Sequence, residues 1–312
     1  MQILATMSAT FPVILLVILG VILQKIKLIQ DTTITDMQKL VVNITLPLLL
    51  FKAFSTMTFS PQFFLIVAII FLTCVIVMLL TAKLKRIPGL SHNYASFLMA
   101  GFEAGMLGYA MFTAIYGVEN VSYFAVIDLG QVLFVFFVLI TRLEVYQGRE
   151  IDLKHTLVTF LKTPVIIGIL AGGLTNVFGL YTIMEGQPIT NSILRTAEIL
   201  AGMTTPLVAI VIGFGLRFRK GSLIEPAKTV ILRSVLWIIL ALIFNALVIR
   251  QLMGLDRLFE AAVLMMAILP APFVVPFYLN EKNDNEKEYI LNTLSLGTIF
   301  ALCASVVIRF IY

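Results

Sequence analysis

The chain of 312 residues is 60% hydrophobic and only 12% charged, with a formal net charge of +5. Soluble globular chains carry about half apolar and about a quarter charged residues, so an ordinary soluble domain is excluded. The positive charge is no argument for nucleic acid, because the basic residues sit in short stretches between apolar blocks.

Those blocks reach the length of membrane-spanning helices. Hydropathy and breakers predict ten spans: 7–26, 37–57, 62–84, 93–117, 120–142, 156–179, 189–215, 226–250, 257–279 and 286–311. Pro61, the Pro88-Gly89 pair, Gly117, Gly148, Gly221 and Gly254 separate many of them. Spans of about 20 residues use roughly 200 positions and leave about 110, too few for a soluble domain. The apolar runs lack the alternation of barrel strands. The N-terminal block has no basic region before it, the first lysine being Lys25, so it does not read as a cleaved leader. Cys74 and Cys303 lie inside apolar runs, which predicts buried thiols rather than a disulfide or a zinc site.

The cations orient the set. With the N-terminus outside, the inner loops hold sixteen Lys and Arg, among them Lys25, Lys83, Arg86, Arg142, Arg217, Arg219, Lys220 and Lys282. The outer loops and ends hold five: Lys52, Arg195, Arg250, Arg257 and Arg309. That bias predicts both termini outside a cell membrane.

A repeat runs through the chain. Residues 12–28 and 164–180 share Pro12/Pro164, Val13/Val165, Ile14/Ile166, Gly20/Gly172 and Leu28/Leu180 at an offset of 152. Thr45-Leu-Pro47-Leu48 then matches Thr204-Thr-Pro206-Leu207 at an offset of 159. Chance likeness among apolar helices is the competing explanation. The reading is two five-helix halves, 1–142 and 156–312, joined by a cytoplasmic linker over 143–155. An odd number of spans per half inverts the second half, an architecture frequent in secondary transporters.

Such proteins bind substrate where helices are interrupted. The predicted fourth span holds Gly101, Gly105 and Gly108; the ninth holds Pro270, Pro272 and Pro276. Both patterns free backbone amides and carbonyls, although Gly101 and Gly105 also suit a close-packing face. Pro47 and Pro206, preceded by Asn43 and Thr45 and by Thr204 and Thr205, are explained as well by plain kinks as by a site.

Ionisable groups inside a span are functional candidates. Glu103 is the sharpest; Asp128, with Gln131 one turn on, lies about as deep in the fifth span, where a structural bond to a neighbouring helix is the alternative. Arg233 reads as a snorkelling side chain and Glu260 as interfacial; Glu198 lies near a helix end. Asn245 falls in the eighth span, and Asn292 and Thr293 begin the tenth. His92 and His155 fall at inner helix starts, a poor place for a proton relay.

Several of these residues carry a resemblance. Asn43-Ile-Thr-Leu-Pro-Leu-Leu-Leu-Phe51 resembles the N-x-x-L-P-x-x-L-F signature of the auxin efflux carrier family. Glu103-Ala-Gly-Met-Leu-Gly-Tyr-Ala110 is similar to its fourth-span N-x-G-x-x-G-x-P, Thr205-Pro-Leu with Gly213-Phe-Gly-Leu216 to its seventh span, and Asn292-Thr-Leu-Ser295 to its last-helix S-T-x-x-S. The resemblance implies an all-α fold of ten helices in two inverted repeats, with spans 1, 2, 6 and 7 as scaffold. Spans 3–5 and 8–10 would form a transport unit with broken helices crossing at 4 and 9. It further implies a permease for small organic acids such as malate or malonate. Two positions depart from the pattern: Glu103 stands where the family has Asn, and Ala110 where it has Pro.

The expected substrate or ion site is thus Glu103, Gly105, Gly108, Asp128, Pro270, Pro272, Asn292 and Thr293, with scaffold breaks at Asn43, Pro47, Thr205 and Pro206. No cofactor and no metal centre is expected; H+ or Na+ remains open as a coupling ion. The expected partners are a small solute and the lipid bilayer, with a homodimer through the scaffold helices open. No phosphate-binding loop with Lys and Ser/Thr is present, which excludes ATP hydrolysis by that route. A membrane-embedded enzyme lacks a dense His/Asp/Glu cluster, and a receptor lacks room for an output domain. A carrier of a neutral or cationic solute stays as the alternative.

Overall fold

A computed structural model describes residues 2–149, 152–216, 222–278 and 284–312. Of the predicted inner-loop cations, Arg217, Arg219, Lys220 and Lys282 lie outside the described residues, as does Gly221. Among the described residues the chain is mainly helical, with no strand. That is the expected outcome for long apolar stretches, because a helix satisfies its own backbone.

In chain order, α1 is Gln2–Lys25 and α2 is Asp31–Leu40, which passes through a π-turn at Val41–Thr45 into α3, Leu46–Thr56. Next come α4 (Gln62–Lys83), the short α5 (Ala95–Met99), a π-turn over Ala104–Gly108, and α6 (Tyr109–Tyr116). A run of helix follows: α7 (Val121–Phe134), a π-segment at Val135–Ile140, and α8 (Thr141–Tyr146). The second half of the chain begins with α9 (Leu153–Lys162), α10 (Pro164–Val177), α11 (Leu180–Glu185), α12 (Pro188–Gly202) and α13 (Thr204–Gly215). Last are α14 (Ile224–Phe244) with a π-segment at Asn245–Leu252, α15 (Arg257–Ile268) and α16 (Asp284–Ile311).

By length and composition seven described helical runs can cross a membrane, or eight if a bent pair counts as one. The protein is therefore a multi-pass membrane protein. Three of the ten predicted spans are not among those seven runs. The first is counted only as the shorter apolar stretch Phe11–Lys25. The sixth bends by 66° between α9 and α10. Pro164 causes this bend: it drives Thr163 out of helical geometry (ψ 126°) and then starts the new helix. The ninth stops as α-helix at Ile268, and only a 3-10 turn at Val275–Tyr278 follows. Within the predicted linker over 143–155, helix continues to Tyr146 and resumes at Leu153, with residues 150 and 151 outside the described residues. Tyr146 is held in helix by edge-on packing against Tyr94 and Phe97, at 5.2 and 5.7 Å between ring centroids.

The chain divides into two compact units. The first comprises residues 1–60, 105–125 and 157–216. Its helices meet backbone to backbone at glycines. A Cβ on Gly20 of α1 would fall on the Ile210 carbonyl of α13, and one on Gly213 of α13 on the Val17 carbonyl of α1. The same holds for α10 against α3, where Gly168 faces the Pro47 carbonyl and Gly172 the Phe51 carbonyl. Small residues of this kind let helices pack closely where lipid removes the hydrophobic drive between them. Pro47 and Pro206 stand in the first turn of α3 and α13, each inside a longer helical run, Asp31–Thr56 and Pro188–Gly215.

The second unit comprises residues 61–104, 126–156 and 217–312. Gly130 of α7 packs on the Val67 carbonyl of α4 in the same manner. At one end, Gln147 Nε2 donates to the Tyr94 hydroxyl at 2.8 Å and to the Tyr278 carbonyl at 2.7 Å. Glu260, in the first turn of α15, is 3% exposed. Its carboxylate takes bonds from Arg250 at 2.6 Å and from the Tyr312 hydroxyl at 3.1 Å, which offset the cost of burying it.

Candidate functional site

The candidate site belongs to the second unit and is built from two interruptions. In the first, helix α5 ends at Met99, Ala100 is extended (φ −119°, ψ 152°) and Gly101 is left-handed (φ +72°). Only glycine adopts that φ without strain, and a Cβ there would lie 2.9 Å from Pro272 Cγ. In the second, α15 ends at Ile268 and Leu269 is extended (φ −66°, ψ 149°), because Pro270 and Pro272 cannot continue a helix.

The two breaks bond to each other. The Glu103 amide donates to the Pro270 carbonyl at 3.0 Å, and the Phe273 amide donates to Glu103 Oε2 at 2.6 Å. Glu103 is 9% exposed, so this carboxylate is buried where backbone has come free of helix. Gln131 steadies the same segment: its Oε1 accepts from the Phe102 amide at 3.2 Å, and its Nε2 donates to Asp128 Oδ1 at 2.8 Å. Asp128 is thus linked along its own helix to Gln131, and through Gln131 to the break.

Arg233, predicted to snorkel, is instead 3% exposed. Its position four residues before Trp237 puts both side chains on one face of α14, turned toward the breaks. Arg233 Nη1 donates to the Leu98 carbonyl at 2.8 Å, and Nη2 donates to the Gly101 carbonyl. Nη2 also reaches the Leu269 carbonyl at 3.3 Å and the Pro270 carbonyl at 3.4 Å. Trp237 Nε1 donates to the Met99 carbonyl at 2.8 Å. The Phe102 ring stands edge-on to Trp237 at 4.5 Å, with the Arg233 guanidinium 5.1 Å from its centroid. One cation and one indole therefore satisfy the carbonyls that two interrupted helices leave open. Arg233 and Trp237 were missed as site residues; their i, i+4 spacing in an apolar helix was the available signal.

The remaining predicted residues divide between the units. Asn292 is fully buried on α16, and Thr293 Oγ1 donates to the Tyr289 carbonyl of its own helix at 2.7 Å. Farther along α16, a Cβ at Gly297 would sit 3.0 Å from Pro270 Cβ. Gly105 and Gly108 lie in the π-turn of the first unit, together with Asn43, Pro47, Thr205 and Pro206. There Asn43 Nδ2 donates to the Lys39 carbonyl at 2.7 Å, and the Thr205 and Thr113 hydroxyls are 2.7 Å apart. Lys52 pairs with Glu198 at 2.7 Å. No group of His, Cys, Asp and Glu suited to a metal ion occurs among the described residues. Cys74 and Cys303 are free thiols, the first buried and the second exposed.

A family model described as "Membrane transport protein" matches residues 5–156, just under half of the chain. No curated protein matches the chain.

Proposed function

We propose that the protein is a secondary transporter of the auxin efflux carrier type that moves a small organic acid, such as malate or malonate, across the cell membrane. The observation that carries this reading is the pair of interrupted helices bonded through Glu103 and Pro270, since carriers bind solutes at such interruptions. The family match over residues 5–156 supports it.

An inverted repeat of two five-helix halves is part of the proposal. Its support is reciprocal packing in the first unit: α1 lies on α13 while α10 lies on α3, through the repeat-related Gly20 and Gly172. Gln24 Nε2 donates to the Phe214 carbonyl, and Asn176 Nδ2, 152 positions later, donates to the Phe54 carbonyl at 3.0 Å. Helices 1, 2, 6 and 7 then act as scaffold and helices 3–5 and 8–10 as the transport unit, by alternating access. Glu103 is the group through which the coupling ion acts.

The specific observation for a second reading, a neutral or cationic solute, is that same buried carboxylate. The acid remains favoured because a cation, the Arg233 guanidinium, is held at the same breaks. Uptake of labelled malate and malonate into proteoliposomes holding the purified chain decides the matter. Accumulation of one of them above empty liposomes is expected; accumulation of only neutral or cationic solutes transfers the proposal to the second reading.

A further inference from the structure

Four carbonyl oxygens from two separate breaks converge on one buried point: those of Leu98, Gly101, Leu269 and Pro270. Oxygens of that kind, at the carbonyl ends of interrupted helices, are what broken-helix carriers use to hold a small metal cation. Here the point is taken. The Arg233 guanidinium fills it, and an arginine keeps its charge at every working pH.

We propose that Arg233 is a tethered counter-cation that occupies the cation position of the two breaks, so that the protein neither binds nor requires sodium there. The inference rests on the transporter reading only for its consequence, that sodium is not the coupling ion. Three physical points support it. The guanidinium spreads its donors over carbonyls of both breaks, so one side chain ties them together as a bound ion would. A sodium ion at the same oxygens would stand within a few ångströms of a buried like charge, which the low dielectric penalises heavily. Attachment to α14 also spares the guanidinium the loss of freedom that a diffusing ion must meet on every cycle.

It follows that removing the guanidinium uncovers the oxygens and creates a site for a small cation. The test uses the full chain purified in detergent, with 22Na+ binding and thermal unfolding in sodium chloride against choline chloride. For the natural chain we expect no 22Na+ retained above background and the same Tm in both salts. In choline chloride Arg233→Ala should lose about 5 °C or more in Tm, because buried carbonyls go unsatisfied. Sodium, or about 10 mM methylguanidinium, should restore part of that loss, while urea at the same concentration should not. Arg233→Lys keeps a cation at the point and should stay folded and insensitive to sodium. Should the Ala variant fail to fold, a folded and sodium-insensitive Lys variant still supports the proposal. Retention of 22Na+ by the natural chain, or a higher Tm for it in sodium, overturns it. So does an Ala variant equally stable with and without either cation. None of these readings involves a transported solute, so failure of malate uptake would leave the result standing.

Discussion

The Glu103 carboxylate accepts a 2.6 Å hydrogen bond from the Phe273 amide, 170 positions away in the sequence and on the opposite side of the paired breaks. This bond makes the two interruptions one structure, and it separates the two properties of Glu103. A glutamine keeps an acceptor oxygen for Phe273 but cannot exchange a proton. Glu103→Gln should therefore unfold at nearly the parental temperature while losing the pH dependence of flux. Glu103→Ala leaves the amide without its partner and should cost about 1–3 kcal/mol of stability. A Gln variant whose flux follows the parent across the whole pH series would show that the carboxylate only holds the break together.

The prolines of the second break are the reason that α15 stops at Ile268. Pro270→Ala together with Pro272→Ala should let helix propagate past Leu269 and withdraw the carbonyls that Arg233 and the Glu103 amide use. Membrane insertion should persist and transport should be abolished. The check is flux normalised to surface expression, and undiminished flux in the double variant contradicts the role given to the break.

Close packing of α1 on α13 depends on one missing atom. Gly213→Ala sets a methyl group on the Val17 carbonyl, so the helices must part, at a cost of about 1–3 kcal/mol. Gly202 has nothing within 4 Å of the place its Cβ would occupy. Gly202→Ala should be neutral or raise stability by about 0.5–1 kcal/mol through helix propensity. Equal melting temperatures for these two variants would remove the packing argument.

Outside the spans, His92 stacks on Tyr289 with ring centroids 3.7 Å apart, and its Nδ1 accepts from the Tyr94 amide at 3.3 Å. Burial lowers its pKa below the ordinary histidine value, with Glu225 acting weakly in the opposite direction. A base whose folded pKa is depressed gives its stability in full above its unfolded pKa of about 6.5. That stability drains away as pH falls through the window below, because the unfolded state takes up the proton first. The parental Tm should drop between pH 7.5 and 5.5 by more than that of His92→Phe, which keeps the stacking. Parallel curves for the two proteins would assign the acid sensitivity elsewhere.

Sixteen inner against five outer cations predict that both chain ends face outside the cell. A C-terminal alkaline phosphatase fusion should be active and a C-terminal fluorescent-protein fusion dark; the reverse pattern inverts the topology.

Composition and hydropathy alone determined that the chain is a multi-pass helical membrane protein, because apolar segments of this length have one stable backbone solution in lipid. The points of weakness were equally local. Gly101 in the fourth predicted span and Pro270 with Pro272 in the ninth mark where helix gives way, since glycine freedom and the missing proline donor act within a residue or two. The bend at Thr163 could have been read from Pro164 by the same rule. What only the tertiary structure decided is which distant groups meet there. Glu103 was legible as a carboxylate in an apolar span, but not its partner, since the Phe273 amide is a backbone group with no mark in the sequence. Arg233 read as a snorkelling side chain because long cations usually reach water. Its burial depends on carbonyls left open by two other segments, Leu98 with Gly101 and Leu269 with Pro270. Hydropathy describes each residue's own transfer into lipid and carries no term for partners brought in from other segments.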